Sequence, residues 1–273
     1  LINNSINIKK SFFLITGLGP FFFNPKFKYR LARIIQKISF VLCKYRNEQS
    51  FIFQNLEDLD TFVDLGFSKK SQSILIPGNG INTGYFCFYE RAQQENIVFL
   101  FASRLTCAKG FNEFMSAASS LGKKYHNSKF LIAGKYDPSD PDSISEDAFQ
   151  EMINSKQISY MGELAYGEMR NWFNQSSVLV MPSYGEGLPK VALEAASTGL
   201  PLIVSDVRDC VETESNGLLI RPRNAQDLED AMESFISLNQ TTLREYGKSS
   251  CAMVKSKFSL DLITEEYLKL LEV

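Results

Sequence analysis

The residues best placed to do chemistry are two carboxylates and two cations, each set held on a short loop. Glu186 and Glu194 stand with seven residues between them in the run Met181-Pro-Ser-Tyr-Gly-Glu-Gly-Leu-Pro-Lys-Val-Ala-Leu-Glu194. The run reads as a buried strand, a turn made tight by Gly185 and Gly187, and a helix starting near Pro189, where a proline suits the first helical position. Free amides and the positive end of the dipole at that helix start suit an anion. Glu186 falls in the loop and Glu194 about a turn and a half into the helix, so both can line one crevice. A second run, Phe101-Ala-Ser-Arg-Leu-Thr-Cys-Ala-Lys-Gly110, again passes from strand to loop to helix. Arg104 and Lys109 bracket its loop, where Arg by paired hydrogen bonds and Lys as a point charge would clamp a diphosphate. Taken singly, each of these residues reads more readily as a solvated surface charge; it is their occurrence in order, at strand ends, that carries the reading.

The elements that must position these loops are an alternation of apolar runs and helical patterns, an α/β arrangement with parallel strands. Nine strands are expected, beginning at Ser11–Ile15 and ending at Leu218–Ile220, with helices between them and two more closing the chain. In open sheets of this kind ligands bind at the carboxyl ends of the strands, where both loops lie. The turn-rich segment Pro77–Gly84 marks a boundary. Three units are expected: a partial N-terminal, acceptor-side domain over 1–84, a complete donor-binding domain over 85–256, and a final helix over 257–273 packing back on the first part. Before the boundary stand only about three strands, the back half of a domain whose front half is absent, and Leu1 in place of Met reads as a processed, cut or incompletely read start.

Composition is that of a globular protein, 44% hydrophobic and 22% charged. The five cysteines are scattered without metal-site or disulfide-scaffold spacing, which points to a reducing, cytoplasmic setting. No apolar run is long enough to span a membrane. Residues 1–47 hold nine Lys or Arg and no Asp or Glu, against a net charge of −2 for the whole chain. A basic end on an acidic body suggests an anionic surface as partner. The expected helix Lys28–Tyr45 sets Leu31, Ile34, Ile35, Ile38 and Leu42 on one stripe and Arg30, Arg33, Lys37 and Lys44 opposite. Its basic face is either simply solvated or docks on lipid headgroups, through the basic segment 26–46 and peripheral to the inner face of the cytoplasmic membrane.

The two motifs together resemble the family-4 retaining glycosyltransferases, which have the GT-B architecture of two Rossmann-like domains. The Glu-x7-Glu pair and the run Arg104–Gly110 carry the resemblance. Ile76-Pro-Gly-Asn-Gly-Ile-Asn82, Thr16-Gly-Leu-Gly19, Phe53-Gln-Asn55 and Asn216-Gly-Leu218 extend it over nearly the whole chain. The wording around Glu186 is similar to the branch that builds cell-surface glycans on polyprenyl-diphosphate carriers. The resemblance implies a UDP-sugar donor, with a hexose or N-acetylhexosamine moved to a carrier-linked glycan in polysaccharide assembly. It implies that Arg104 and Lys109 bind the diphosphate and stabilise departing UDP, that Glu186 contacts the transferred sugar and that Glu194 holds the ribose hydroxyls. The backbone of Gly187, Leu188 and Pro189 would frame sugar and phosphate, and Gly162, Glu163 and Leu164 would face the base. No metal or other cofactor is expected, since no DxD or histidine cluster is present, and no nucleic acid is expected as a partner.

One loop departs from the family pattern, with Asp209 where a glycine usually precedes the Cys210 position, which would alter sugar choice or weaken binding. His126, the single histidine, reads as a surface residue after a helix, and Phe21–Phe23 as core or loop packing, with a lipid-facing role as the alternative. Two other function classes compete: a non-catalytic nucleotide-sugar-binding fragment without a full acceptor domain, and an NAD-dependent Rossmann protein. The lack of GxGxxG after an early strand counts against the latter.

Overall fold

The computed structural model describes residues 10–18, 22, 27–44, 48–92, 95–205 and 210–271. Two compact units are present: the described residues up to Asn79 with those from Ile263 onward, and Gly80–Leu262.

The first unit holds a three-stranded parallel sheet in the order β1 (Lys10–Ile15), β2 (Glu48–Phe53), β3 (Ser73–Leu75). Helix α1 (Phe27–Lys44) lies between β1 and β2 in sequence and α2 (Leu56–Asp64) follows β2. Asn55 starts α2 by accepting from the Asp58 amide at 2.8 Å, a side-chain cap of the usual kind. Phe51, Phe53, Leu59, Phe62 and Phe67 form the core, and Phe22 packs its ring against Phe62 and Phe67, which matches the packing expected of it. Phe21 and Phe23 lie outside the described residues. Two motifs of the resemblance meet here, since Gln54 Nε2 donates to Asn79 Oδ1 at 2.7 Å.

Helix α1 is turned the other way from a domain helix with a solvated basic face. Arg33 donates to the Phe22 carbonyl, and the Lys37 ammonium sits 5.1 Å from the centre of the Phe67 ring. Both side chains are half-buried, their stems lying along apolar surface. Leu31, Ile34, Ile35 and Ile38 are instead exposed, at 47–57%. The sequence period separates two faces of a helix but does not say which one turns inward.

The second unit is a six-stranded parallel sheet of β4 (Ile97–Ala102), β5 (Ser128–Ala133), β6 (Ile158–Tyr160), β7 (Val178–Met181), β8 (Leu202–Ser205) and β9 (Gly217–Ile220). Its order, β6-β5-β4-β7-β8-β9, is the 3-2-1-4-5-6 of a doubly wound dinucleotide fold. Its helices are α3 (Phe111–Lys124), α4 (Glu146–Asn154), α5 (Tyr166–Gln175), α6 (Lys190–Ser197), α7 (Ala225–Ile236) and α8 (Gln240–Lys257); α9 (Leu260–Leu271) begins at the end of this unit, and its residues from Ile263 belong to the first. Alternation along the buried strands sends side chains to two cores. Phe99, Phe101, Val178 and Val180 meet α3, α4 and α7 on one face. Leu100, Ala102, Leu179 and Met181 meet α5, α6 and α8 on the other. Burying both faces is what makes these strands read as unbroken apolar runs.

The expected elements fall within two residues of the observed ones. One two-residue difference is the start of α3, expected at Lys109 and found at Phe111. Gly110 stands at φ 73° and caps a 3₁₀ turn over Cys107–Lys109, so the α-helix cannot run through it.

Candidate active site

In the order 3-2-1-4-5-6 the chain reverses direction between the first and fourth strands, here β4 and β7, and a crevice opens at their carboxyl ends. The Arg104–Gly110 loop leaves β4 and the Pro182–Pro189 loop leaves β7, so both motifs rise from this switch point. They are joined directly. The Tyr184 amide donates to the Ala108 carbonyl at 2.8 Å. A Cβ on Gly110 would stand 2.1 Å from the Pro182 carbonyl oxygen, so only a glycine lets the two backbones meet.

Lys109 and Glu186 are brought together, Nζ to Oε1 at 2.5 Å, with about four-fifths of each side chain buried. Arg104 is placed differently from a joint clamp with Lys109. Its guanidinium reaches outward, 63% exposed, and pairs with Asp140 Oδ2 at 2.8 Å on the loop after β5. Nothing in the spacing of Asp140 marked it for this role.

Glu194 lies on α6 and is 3% exposed. Burial pushes its carboxyl above the usual carboxylate range, partly offset by the Lys190 ammonium and by hydrogen bonding with Lys190 and Tyr166. The Lys190 ammonium is 3.5 Å from Glu194 Oε1, yet that oxygen has no hydrogen-bond partner. A buried carboxylate oxygen left without a hydrogen bond is a costly arrangement, and it is the arrangement a site would keep for a ligand hydroxyl. Lys190 also lies 5.2 Å from the Tyr166 ring centre, and Tyr166 stacks with Tyr85.

Tyr184 fixes the β7 loop from the far side. Its hydroxyl donates to Glu113 Oε1 at 2.8 Å, the Arg223 guanidinium covers its ring at 4.7 Å, and burial with the Glu113 bond pushes its hydroxyl up to about 12. The Ser205 hydroxyl donates to the Ser183 carbonyl. Pro189 is the N-cap of α6, one place earlier than the first helical position expected, and its carbonyl accepts from Ala192 and Leu193 at 3.1 and 3.2 Å. Leu188 packs on the core and Gly187 is exposed.

The loop after β6 reaches the same sheet edge. The Gly162 carbonyl accepts from the Gly134 amide at 2.8 Å, Leu164 packs on the core, and Glu163 is exposed. Asn216-Gly-Leu218 is structural: Asn216 is buried and closes its turn through the Glu212 amide and the Cys210 carbonyl. His126 is exposed in a turn, as expected. Asp209 lies outside the described residues, as does Gly19. Among the described residues no cluster of three His, Cys, Asp or Glu suited to a metal is found, and no helix is long and apolar enough to cross a membrane.

A doubly wound sheet with a basic loop and a Glu-x7-Glu loop joined at its switch point defines a Rossmann-like unit of the GT-B glycosyltransferase class. Residues 96–237, a little over half of the chain, match the family model described as Glycosyl transferases group 1, and the chain belongs to that family. It is 28% identical over 274 residues to N,N'-diacetylbacillosaminyl-diphospho-undecaprenol alpha-1,3-N-acetylgalactosaminyltransferase of Campylobacter jejuni, a match covering 95% of this chain and 69% of that one. It spans smaller shares, 44% and 64%, of two further curated relatives. Among solved structures it resembles sucrose-phosphate synthase from Thermosynechococcus elongatus, with a TM-score of 0.77 at 22% identity over 96% of this chain and 67% of that one. It also resembles Anabaena HepE in complex with UDP and glucose, with a TM-score of 0.75 at 14% identity over 96% of this chain and 71% of that one. These likenesses establish the α/β, GT-B type fold.

Proposed function

We propose that the chain carries the donor site of a retaining glycosyltransferase that moves a hexose or N-acetylhexosamine from a UDP-sugar to a polyprenyl-diphosphate-linked glycan. One observation carries the reading: Glu194 is buried, its Oε1 makes no hydrogen bond although the Lys190 ammonium stands 3.5 Å away, and the helix that holds it opens from the same loop as the Lys109–Glu186 pair. Ribose hydroxyls would supply the missing donors to Glu194, and the diphosphate would meet Lys109, with Arg104 swinging in from Asp140. Glu186 would then accept from the transferred sugar, the Gly187–Pro189 backbone would frame sugar and phosphate, and Gly162, Glu163 and Leu164 would face the base.

In the transfer the bond from the anomeric carbon to the diphosphate oxygen breaks and the acceptor hydroxyl oxygen bonds to that carbon on the same face. The acceptor proton passes to the leaving diphosphate, and UDP departs. Negative charge builds up on the diphosphate, so a fixed ammonium and guanidinium aimed at it lower the barrier; we propose that no metal is required. The relative from Campylobacter is named for an undecaprenol-linked acceptor and the HepE structure for UDP, which supports the carrier and donor classes chosen here.

Such an acceptor resides at a membrane, and we place the enzyme in the cytoplasm against the inner leaflet. The surface for that contact is the exposed stripe Leu31, Ile34, Ile35 and Ile38 with exposed Arg30 beside it, not the inward-turned Arg33 and Lys37. Flotation with anionic vesicles tests this: Ile34→Asp with Ile38→Asp abolishes binding, whereas binding equal to wild type contradicts it. For the donor, calorimetry with UDP is expected to give saturable binding that Glu194→Ala and Lys109→Ala each reduce about tenfold or more. No binding of UDP by the wild type, or full binding by both variants, would sink the reading.

A further inference from the structure

Each of the two cations assigned above to the diphosphate is matched by a carboxylate, Lys109 by Glu186 at 2.5 Å and Arg104 by Asp140 at 2.8 Å. The two pairs are not equivalent. Arg104 is 63% exposed, so water screens its partner and the pair is weak. Lys109 and Glu186 are about four-fifths buried, where neighbouring charges are felt strongly. Any diphosphate that approaches Lys109 therefore meets a carboxylate already in contact with the same ammonium.

We propose that Glu186 discriminates the sugar-bearing donor from the bare nucleoside diphosphate by competing for Lys109 whenever no sugar is bound. The inference rests on the donor site proposed above and adds a second task for Glu186. When the donor carries its sugar, hydroxyl groups donate to the Glu186 carboxylate, and Lys109 is released to the diphosphate without leaving a buried charge unpaired. Once the sugar has been transferred, Glu186 keeps no hydroxyl partner. Its one remaining strong partner is the Lys109 ammonium, and re-forming that pair loosens the hold on the product. Glycines 185 and 187 flank Glu186 and both are exposed, and a Cβ on Gly185 would meet nothing within 4 Å, so the loop has room for the carboxylate to change partners. The same exchange makes the donor bind in preference to its own product.

The test is calorimetry on the whole chain with UDP, UDP-N-acetylgalactosamine, UDP-N-acetylglucosamine and UDP-glucose, for wild type, Glu186→Gln, Glu186→Ala and Asp140→Asn. Removing the buried competing charge is expected to tighten UDP binding about tenfold or more in both Glu186 variants. The preference of the best sugar nucleotide over UDP falls by at least the same factor. Asp140→Asn, acting on the exposed pair, changes UDP affinity by about twofold or less. If UDP binds the wild type and Glu194→Ala weakens it, but the Glu186 variants bind UDP no more tightly than wild type, this inference is overturned and the donor site stands. An equal gain from Asp140→Asn also overturns it, since general charge and not the buried exchange would then be responsible. If the wild type binds none of the four nucleotides, the donor site falls and the inference with it.

Discussion

Glu194→Gln separates a residue kept for a ligand from one kept for the fold. The side chain is 3% exposed and one carboxylate oxygen makes no hydrogen bond, with the Lys190 ammonium 3.5 Å from it, while burial holds its carboxyl above the ordinary value of 4.5. In the absence of ligand the ionised group therefore destabilises the fold. Burial penalises an ionised carboxylate more than a neutral amide of the same size, so the variant should recover about 1–3 kcal/mol. For a unit of about 180 residues this is about 2–12 °C in Tm at neutral pH. Because the folded value is raised, the folded chain binds the proton more tightly than the unfolded chain. Wild-type stability contributed by this group thus falls as pH rises from 4.5 through the folded value. The advantage of the variant is full above that window and vanishes only below about 4.5, where the wild-type carboxyl is protonated in both states. Scanning calorimetry at several pH values reads this directly. The same substitution removes a charged acceptor for ribose hydroxyls, worth about 1.5–3 kcal/mol, so UDP affinity should fall about tenfold to a hundredfold. A variant that is less stable than wild type at pH 7, or one that binds UDP as well as wild type, refutes the reasoning.

Three further outcomes are expected. Gly110→Ala forces a side chain to φ 73° and to within 2.1 Å of the Pro182 carbonyl, so it should destabilise the second unit by about 2 kcal/mol or more and abolish UDP binding, read by melting and titration. Arg91 is half-buried and donates to the carbonyls of Phe173, Ser176, Thr198 and Gly199 at the ends of α5 and α6; desolvation pulls its guanidinium down to about 10. Arg91→Ala should cost about 3 kcal/mol or more and lower Tm by about 6–12 °C, with UDP affinity of the folded protein retained. Addition of EDTA should leave UDP affinity within about twofold of its untreated value, since Lys109 and Arg104 supply the positive charge; loss of binding that magnesium or manganese restores would contradict the metal-free scheme.

The strands and helices of the second unit were legible because each strand is buried on both faces and bounded by turns, so period and punctuation agree. The switch-point pairing of the Arg104 and Glu186 loops was also legible, since strand-loop-helix order places both at carboxyl ends. Three features were not. Asp140 contacts Arg104 across 36 positions, and no local pattern announces an ion pair between two loops. That Oε1 of Glu194 makes no hydrogen bond depends on how Lys190 and Tyr166 approach it, which a spacing of carboxylates does not report. The inward turn of Arg33 and Lys37 depends on a backbone carbonyl and an aromatic ring elsewhere in the unit, whereas the sequence defines only that α1 has two unlike faces.

In a crystal structure of the protein with UDP, the diphosphate is expected at the carboxyl ends of β4 and β7, in contact with the Lys109 ammonium, with a ribose hydroxyl within about 3 Å of Glu194 Oε1. A nucleotide bound elsewhere on the second unit, or bound here with Glu194 Oε1 still without a hydrogen bond, would contradict the donor site.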